Sequence, residues 1–145
     1  MSQEDVEIVR SYWEVLGRLL DEYWANPEVP LTQSPAVQQA FDLVDPDAEW
    51  TPFGLPAARG REQWLRAVDD ALEAVDYWRP EVEEVIDAGK DKVLAVVRVS
   101  IRGKGSGISV SQQIFSVVAV REGRIARIIE YTDRADALQA VGLRE

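Results

Sequence analysis

The chain has 145 residues, of which 46% are hydrophobic and 29% are charged. These values fit one globular domain with a sizeable core and exclude a disordered chain. The net charge of −10 repels phosphate backbones, and no apolar run is long enough to span a bilayer. We therefore expect a single domain over residues 1–145 that binds neither nucleic acid nor a membrane.

The sequence contains neither cysteine nor histidine. Disulfides, thiol nucleophiles and the commonest general base and metal ligand are therefore excluded. Any proton transfer must use Asp, Glu, Tyr or Lys, and we expect no metal site and no cofactor. The acidic start, Met1 to Asp5, differs from a signal peptide, so we expect a cytoplasmic protein.

The first half of the chain has helical periodicity. Apolar residues at helical spacing over Val6–Leu20 predict a long first helix of about 20 residues. Ser34-Pro35 has the form of an N-cap followed by a first-turn proline and predicts a short second helix. A short strand over Ala48–Thr51 and an apolar loop over Pro52–Pro56 precede a third helix, predicted from about Arg61 to Val75.

After the third helix the hydrophobic period changes from 3.6 to 2. The alternation predicts four consecutive strands: Trp78–Ile86, Lys92–Arg102, Gly107–Arg121 and Arg124–Thr132. Asp133 is the expected N-cap of a short last helix that runs to about Val141. Helices followed by an antiparallel meander predict an α+β fold, with the helices packed on the sheet.

The strand predicted over Lys92–Arg102 is apolar on both faces at its centre. An antiparallel sheet with one face in water would show polar residues along that face. We therefore expect Leu94 and Val96 to pack on helices, and a homodimer to form through the sheet on the face of Val97, Val99 and Ile101.

Several local motifs and the element order carry a family resemblance. Trp50 precedes Pro-Phe-Gly-Leu-Pro, Arg59-Gly60-Arg61-Glu62 opens a helix, and a hairpin spans Arg121–Ile125 before Glu130-Tyr131-Thr132-Asp133. The chain resembles the SnoaL-like, ketosteroid-isomerase-like superfamily, also called nuclear transport factor 2-like, over nearly its whole length. The resemblance implies a cone-shaped fold whose N-terminal helices pack on a curved, mainly antiparallel sheet enclosing a pocket. It implies no single activity, because the scaffold hosts isomerases, cyclases, epoxide hydrolases, dehydratases and non-enzymes.

The catalytic pattern of ketosteroid isomerases is incomplete in this sequence. Their general base, which lies just before a proline, corresponds to Thr51, and their protonated acid falls near Phe115–Ser116. Their first-helix tyrosine corresponds to Trp13 or, one residue out of register, to Tyr12. Steroid isomerisation by that mechanism is not expected.

The pattern of limonene-epoxide-hydrolase-like enzymes is matched in part. Arg98 and Glu130 occupy the arginine and final-acid positions, whereas Ser100 stands where the first aspartate should be. The tyrosine and asparagine that help to hold the water correspond to Trp50 and Pro52. The resemblance thus makes Glu130 the candidate acid or base and Arg98 the candidate polarising group.

Arg98 and Glu130 each share a strand face with apolar residues, where a charge costs several kcal/mol unless it is paired or used. They therefore form either a buried ion pair or part of a ligand site. One of the adjacent amides Gln112 and Gln113 is expected to be buried. The candidate ligand-binding residues are Trp13, Trp50, Phe53, Trp64, Arg98 and Ser100.

Three functions are compatible with these residues. The first is a SnoaL-like protein that binds a small lipophilic molecule in an apolar pocket. The second is a lyase, isomerase or epoxide hydrolase acting on a polyketide- or terpene-like substrate, with Glu130 as acid or base and Arg98 polarising an oxygen. The third is a structural dimerisation module.

Overall fold

The computed structural model describes residues 2–53 and 55–142. Met1, Gly54 of the apolar loop and residues 143–145 lie outside the described residues. The fold is α+β, as expected, with four α-helices and a curved six-stranded sheet. The helices are α1 (Ser2–Ala25), α2 (Pro35–Asp42), α3 (Gly60–Glu73) and α4 (Arg134–Ala140). The strands are β1 (Val44–Thr51), β2 (Ala58–Arg59), β3 (Val75–Gly89), β4 (Lys92–Gly103), β5 (Ser109–Arg121) and β6 (Arg124–Tyr131).

Two of the predicted helix caps are confirmed. The Ser34 side chain accepts a hydrogen bond from the amide of Ala36, and a proline occupies the first turn of α2. The Asp133 carboxylate accepts a hydrogen bond from the amide of Ala135 at the start of α4. In the described part of the chain, no helix is both long enough and apolar enough to cross a membrane.

The sheet has the strand order β2-β1-β6-β5-β4-β3. Strands β3 to β6 form the antiparallel meander that the alternation predicted. The strand β1, in contrast, pairs in parallel with β6 and places Trp50 opposite Ile128. This pairing brings the end of β1 and the loop after it next to Glu130, the penultimate residue of β6.

The two faces of the sheet are covered by different helices. The inner face, defined here as the side that packs on α1, α2 and α3, carries Val93, Ala95, Val97 and Val99 of β4. The outer face carries Leu94 and Val96, which pack with Ala137 and Leu138 of α4. The expectation that Leu94 and Val96 pack on a helix is confirmed. The expectation that Val97, Val99 and Ile101 form an open face was wrong, because they lie in or against the core under the N-terminal helices. The last helix folds back onto the outer face and covers the apolar residues there.

Candidate functional site

The carboxylate of Glu130 is held by two donors from the end of β1. Its Oε2 atom accepts a hydrogen bond from Nε1 of Trp50 at 2.9 Å, and its Oε1 atom accepts one from the backbone N–H of Phe53 at 3.1 Å. The first donor belongs to β1 and the second to the loop that follows it. Glu130 thus fixes this loop to the sheet.

Aromatic side chains surround this carboxylate. The ring of Trp50 stacks on that of Trp64 from α3, with 5.7 Å between the centroids and 26° between the planes. Tyr12 of α1 is also buried and interacts with Trp64 and with the charge of Glu130. On β5, Ser116 lies directly opposite Glu130 and is only 1% exposed. The site is therefore a single carboxylate among buried aromatic and neutral groups.

The surroundings disfavour negative charge on both titratable groups of the site. Burial raises the pKa of Glu130, and the hydrogen bonds from Trp50 and Phe53 counteract only part of this effect. Burial also raises the pKa of Tyr12; a hydrogen bond with Trp64 acts in the opposite direction, and the charge of Glu130 raises this pKa further. Among the described residues, no arginine or lysine contributes to the shift at Glu130. A carboxylate in such a setting can exchange a proton with a bound molecule.

The inner face of β5 becomes progressively more exposed away from Ser116. Ile114 is partly buried, Gln112 is exposed, and the side chain of Val110 is 54% exposed. The loop beside Glu130 is also apolar and exposed, with Phe53 at 58% and Leu55 at 54%. The partly buried carboxylate thus lies at one end of an inner face that opens towards solvent at the other end.

Both arrangements expected for Arg98 and Glu130, the buried ion pair and the shared ligand site, are wrong. The register places Arg98 opposite Gln113 on the outer face, whereas Glu130 lies opposite Ser116 on the inner face. The guanidinium donates from Nε to Oε2 of Glu83 at 3.1 Å and from Nη1 to the Ser111 hydroxyl at 3.1 Å. Neither version of the predicted Arg98–Glu130 site, ion pair or shared pocket, is therefore present.

Ser100 shares the outer face with Arg98, because the two residues are two positions apart on one strand. The inner-face positions beside them are taken by the buried side chains of Val97 and Val99. The arginine and serine are thus separated from Trp50 and Trp64. The partial epoxide-hydrolase-like arrangement inferred from the sequence is not assembled.

Of the remaining candidates, Trp13 also lies away from the carboxylate. It contacts Tyr12 edge to face at 5.2 Å and lines a groove of about 570 Å³ between α1 and β3. Sequence reasoning left Tyr12 as an out-of-register alternative, but it is the α1 residue that reaches the site. Adjacent helix positions point about 100° apart, so the pattern could not settle which of the two faces the sheet.

The two adjacent glutamines of β5 are both exposed, so the expectation that one of them is buried was wrong. Gln113 donates from Nε2 to Oε1 of Glu83 at 3.0 Å on the outer face. Gln112 lies on the inner face, at its solvent-exposed end. It is a polar group near the site that sequence reasoning did not assign, and strand alternation alone could have placed it with Ser116.

No three acidic side chains in residues 2–53 and 55–142 are arranged as a metal site. The chemistry available at the site is that of one carboxylate, one phenol, one serine hydroxyl and two indole N–H groups. Such a set can bind a small molecule through its rings and can donate or accept one proton.

Comparison with solved structures shows the same fold in several proteins. A nuclear transport factor 2-like protein of unknown function from Burkholderia pseudomallei is 15% identical, with a TM-score of 0.69 over 96% of this chain and 98% of that chain. A proposed SnoaL-like polyketide cyclase from Jannaschia is 19% identical, with a TM-score of 0.66 over 99% and 95% of the two chains. The protein TerC, crystallised with polyporic acid, is 15% identical, with a TM-score of 0.67 over 95% and 98%. At these identities the likeness shows the fold alone.

The family comparison is more specific. No curated protein matches the sequence. Residues 33–128, which begin two residues before α2 and end at Ile128 in β6, match the SnoaL-like domain. The matched segment covers well over half of the chain and includes both stacked tryptophans. The chain therefore belongs to the SnoaL-like domain family.

Proposed function

We propose that this protein binds a small lipophilic molecule on the inner face of its sheet, at the Glu130 end. The observation that carries the proposal is the partly buried carboxylate among aromatic rings, beside an exposed apolar loop. The molecule would lie along the inner face and be covered by the loop of Phe53 and Leu55.

The exposed apolar groups give the binding its driving force. Ile101 and Ile114 are partly buried on the inner face, and Val110 and Phe53 are more than half exposed. Covering such surface is worth roughly 25 cal/mol per Å² of apolar area removed from water. The fold neighbour crystallised with polyporic acid supports the use of this scaffold for a small organic ligand.

The binding test uses the emission of the protein's tryptophans, two of which, Trp50 and Trp64, are at the site. We expect 2-naphthylmethanol, a neutral lipophilic probe, to change this emission saturably. The double variant Phe53→Ser with Leu55→Ser should weaken binding by about tenfold or more because it removes the apolar cover.

The matched control is Val29→Ser, which removes an exposed apolar side chain from the loop after α1. This variant should bind the probe as the unmodified protein does. Absence of saturable binding would contradict the proposal and favour a structural dimerisation module. Equal losses in the Val29 and Phe53 variants would show that the loop is not the cover.

A second candidate is a lyase, isomerase or hydrolase acting on a polyketide- or terpene-like substrate. The observation that favours it is the raised pKa of Glu130, caused mainly by burial, which suits a group that gives or takes a proton. Arg98 has no part in this version, because it lies on the outer face. Turnover that is lost in Glu130→Gln while the substrate still binds would support this enzyme; turnover that persists would contradict it.

A further inference from the structure

We infer that the Glu130 site prefers lipophilic amines, which are organic cations, to neutral and acidic molecules of the same carbon skeleton. The inference rests on the proposed function, because it names the ligand class for the same site. It follows from the distribution of charge on the inner face.

The pairing registers show which residues of β4, β5 and β6 lie on the inner face. Among these residues, Glu130 is the one with a charged side chain. The other positions are apolar, apart from the neutral polar side chains of Gln112 and Ser116. Arg98, the basic residue that the sequence assigned to this site, lies on the outer face and is paired with Glu83. The carboxylate therefore has no cationic counterpart at the site within the described residues.

The carboxylate has the capacity to bind a further donor. Each of its oxygens accepts one recorded hydrogen bond, from Trp50 and from Phe53. An ionised carboxylate offers about four lone-pair positions, so about two remain for a ligand. An ammonium group carries the hydrogen-bond donors and the opposite charge that these positions need.

The aromatic rings favour the same ligand class. Trp50 donates to the carboxylate, Trp64 stacks on Trp50, and Tyr12 is close enough for the charge of Glu130 to raise its pKa. Aromatic rings attract organic cations through their faces. A partly buried position strengthens both the ionic and the ring interactions, because little water screens them. A ligand carboxylate at the same place would instead meet the charge of Glu130 with no cation between them.

The experiment compares three probes with one skeleton: 2-naphthylmethylamine, 2-naphthylmethanol and 2-naphthoic acid. Titration calorimetry of the full chain at about pH 8, the alkaline end of the pH series described next, favours the ionised form of Glu130 and keeps the amine protonated. We expect the amine to bind at least about tenfold more tightly than the alcohol, and the acid more weakly than the alcohol. In Glu130→Gln the difference between amine and alcohol should vanish, whereas Glu83→Gln on the outer face should retain it.

A pH series on the unmodified protein gives a test that does not depend on the folding of a variant. As pH falls through the pKa of Glu130, the preference for the amine should decline. The other groups at the site do not titrate in this range: Tyr12 stays neutral because its pKa is raised, and Trp50, Trp64 and Ser116 carry no charge.

The outcomes separate the inference from the proposed function. If the alcohol binds and the amine is no tighter, or if the preference survives in Glu130→Gln, the amine inference is wrong and the lipophile site stands. If none of the three probes binds, the proposed function itself fails and the inference with it.

Discussion

Trp50→Phe removes one of the two donors to the partly buried carboxylate of Glu130 and keeps most of the apolar ring. A hydrogen bond to a charged group contributes about 1.5–3 kcal/mol, and the smaller ring also loses part of the stacking on Trp64. We therefore expect the free energy of unfolding at neutral pH to fall by about 2–4 kcal/mol. Urea unfolding followed by far-ultraviolet circular dichroism measures this change without relying on tryptophan emission.

A double-mutant cycle isolates the hydrogen bond from the lost ring contacts. In the Glu130→Gln background the acceptor is neutral, and a neutral hydrogen bond contributes about 1 kcal/mol. The cost of Trp50→Phe should therefore be about 1 kcal/mol smaller in that background than in the unmodified protein. If the cost is the same in both backgrounds, the indole does not stabilise a charged carboxylate, and the description of the site is wrong.

The pH dependence of stability has a definite sign. Because the pKa of Glu130 is raised in the folded state, this residue contributes stability at low pH that is lost as pH rises through the folded pKa. Glu130→Gln should therefore become more stable relative to the unmodified protein as pH rises through this window. Loss of the Trp50 donor raises the pKa further, so the damage from Trp50→Phe should be larger above this window than below it.

Three further predictions concern the rest of the molecule. Arg98→Leu should change the unfolding free energy little, because its ion pair with Glu83 is well exposed, and its effect should add to that of Glu130→Gln. A coupling above about 1 kcal/mol in urea unfolding would contradict the separation of the two residues. We propose that the homodimer uses the outer face, so sedimentation at micromolar concentration should show a dimer; a monomeric unmodified protein would refute this. Divalent metals should bind no better than roughly millimolar, and a stoichiometric metal that survives a chelator in mass spectrometry would contradict that.

The sequence predicted the elements well where the signal is local. The N-caps Ser34 and Asp133 and the four alternating strands depend on neighbouring residues, and the structure contains them. Strand ends differed by a few residues: β3, for example, begins at Val75 rather than at Trp78. The two-residue strand β2 was missed, because so short a segment has no readable period.

The errors concern relations between distant segments. Alternation along β4 shows that Val97 and Val99 share a face, but it does not show which face meets the N-terminal helices. Both faces of β4 are apolar at the centre because α4 covers the outer face. The packing of α4 on the sheet is a tertiary contact, which the alternation along a strand does not show. The same limit placed Arg98 and Glu130 in one site, because the resemblance aligned residues without showing which face of the sheet each side chain occupies.

The parallel pairing of β1 with β6 has a consequence for the order of folding. The bond between Trp50 and Glu130 joins residues 80 positions apart, whereas the β3–β6 hairpins join near neighbours. Long-range parallel pairs close large loops and form slowly, so β1 is expected to dock after the meander has formed. Substitutions at Trp50 should then accelerate unfolding and leave the folding rate nearly unchanged. The site would assemble last, and it would be among the first parts of the sheet to open.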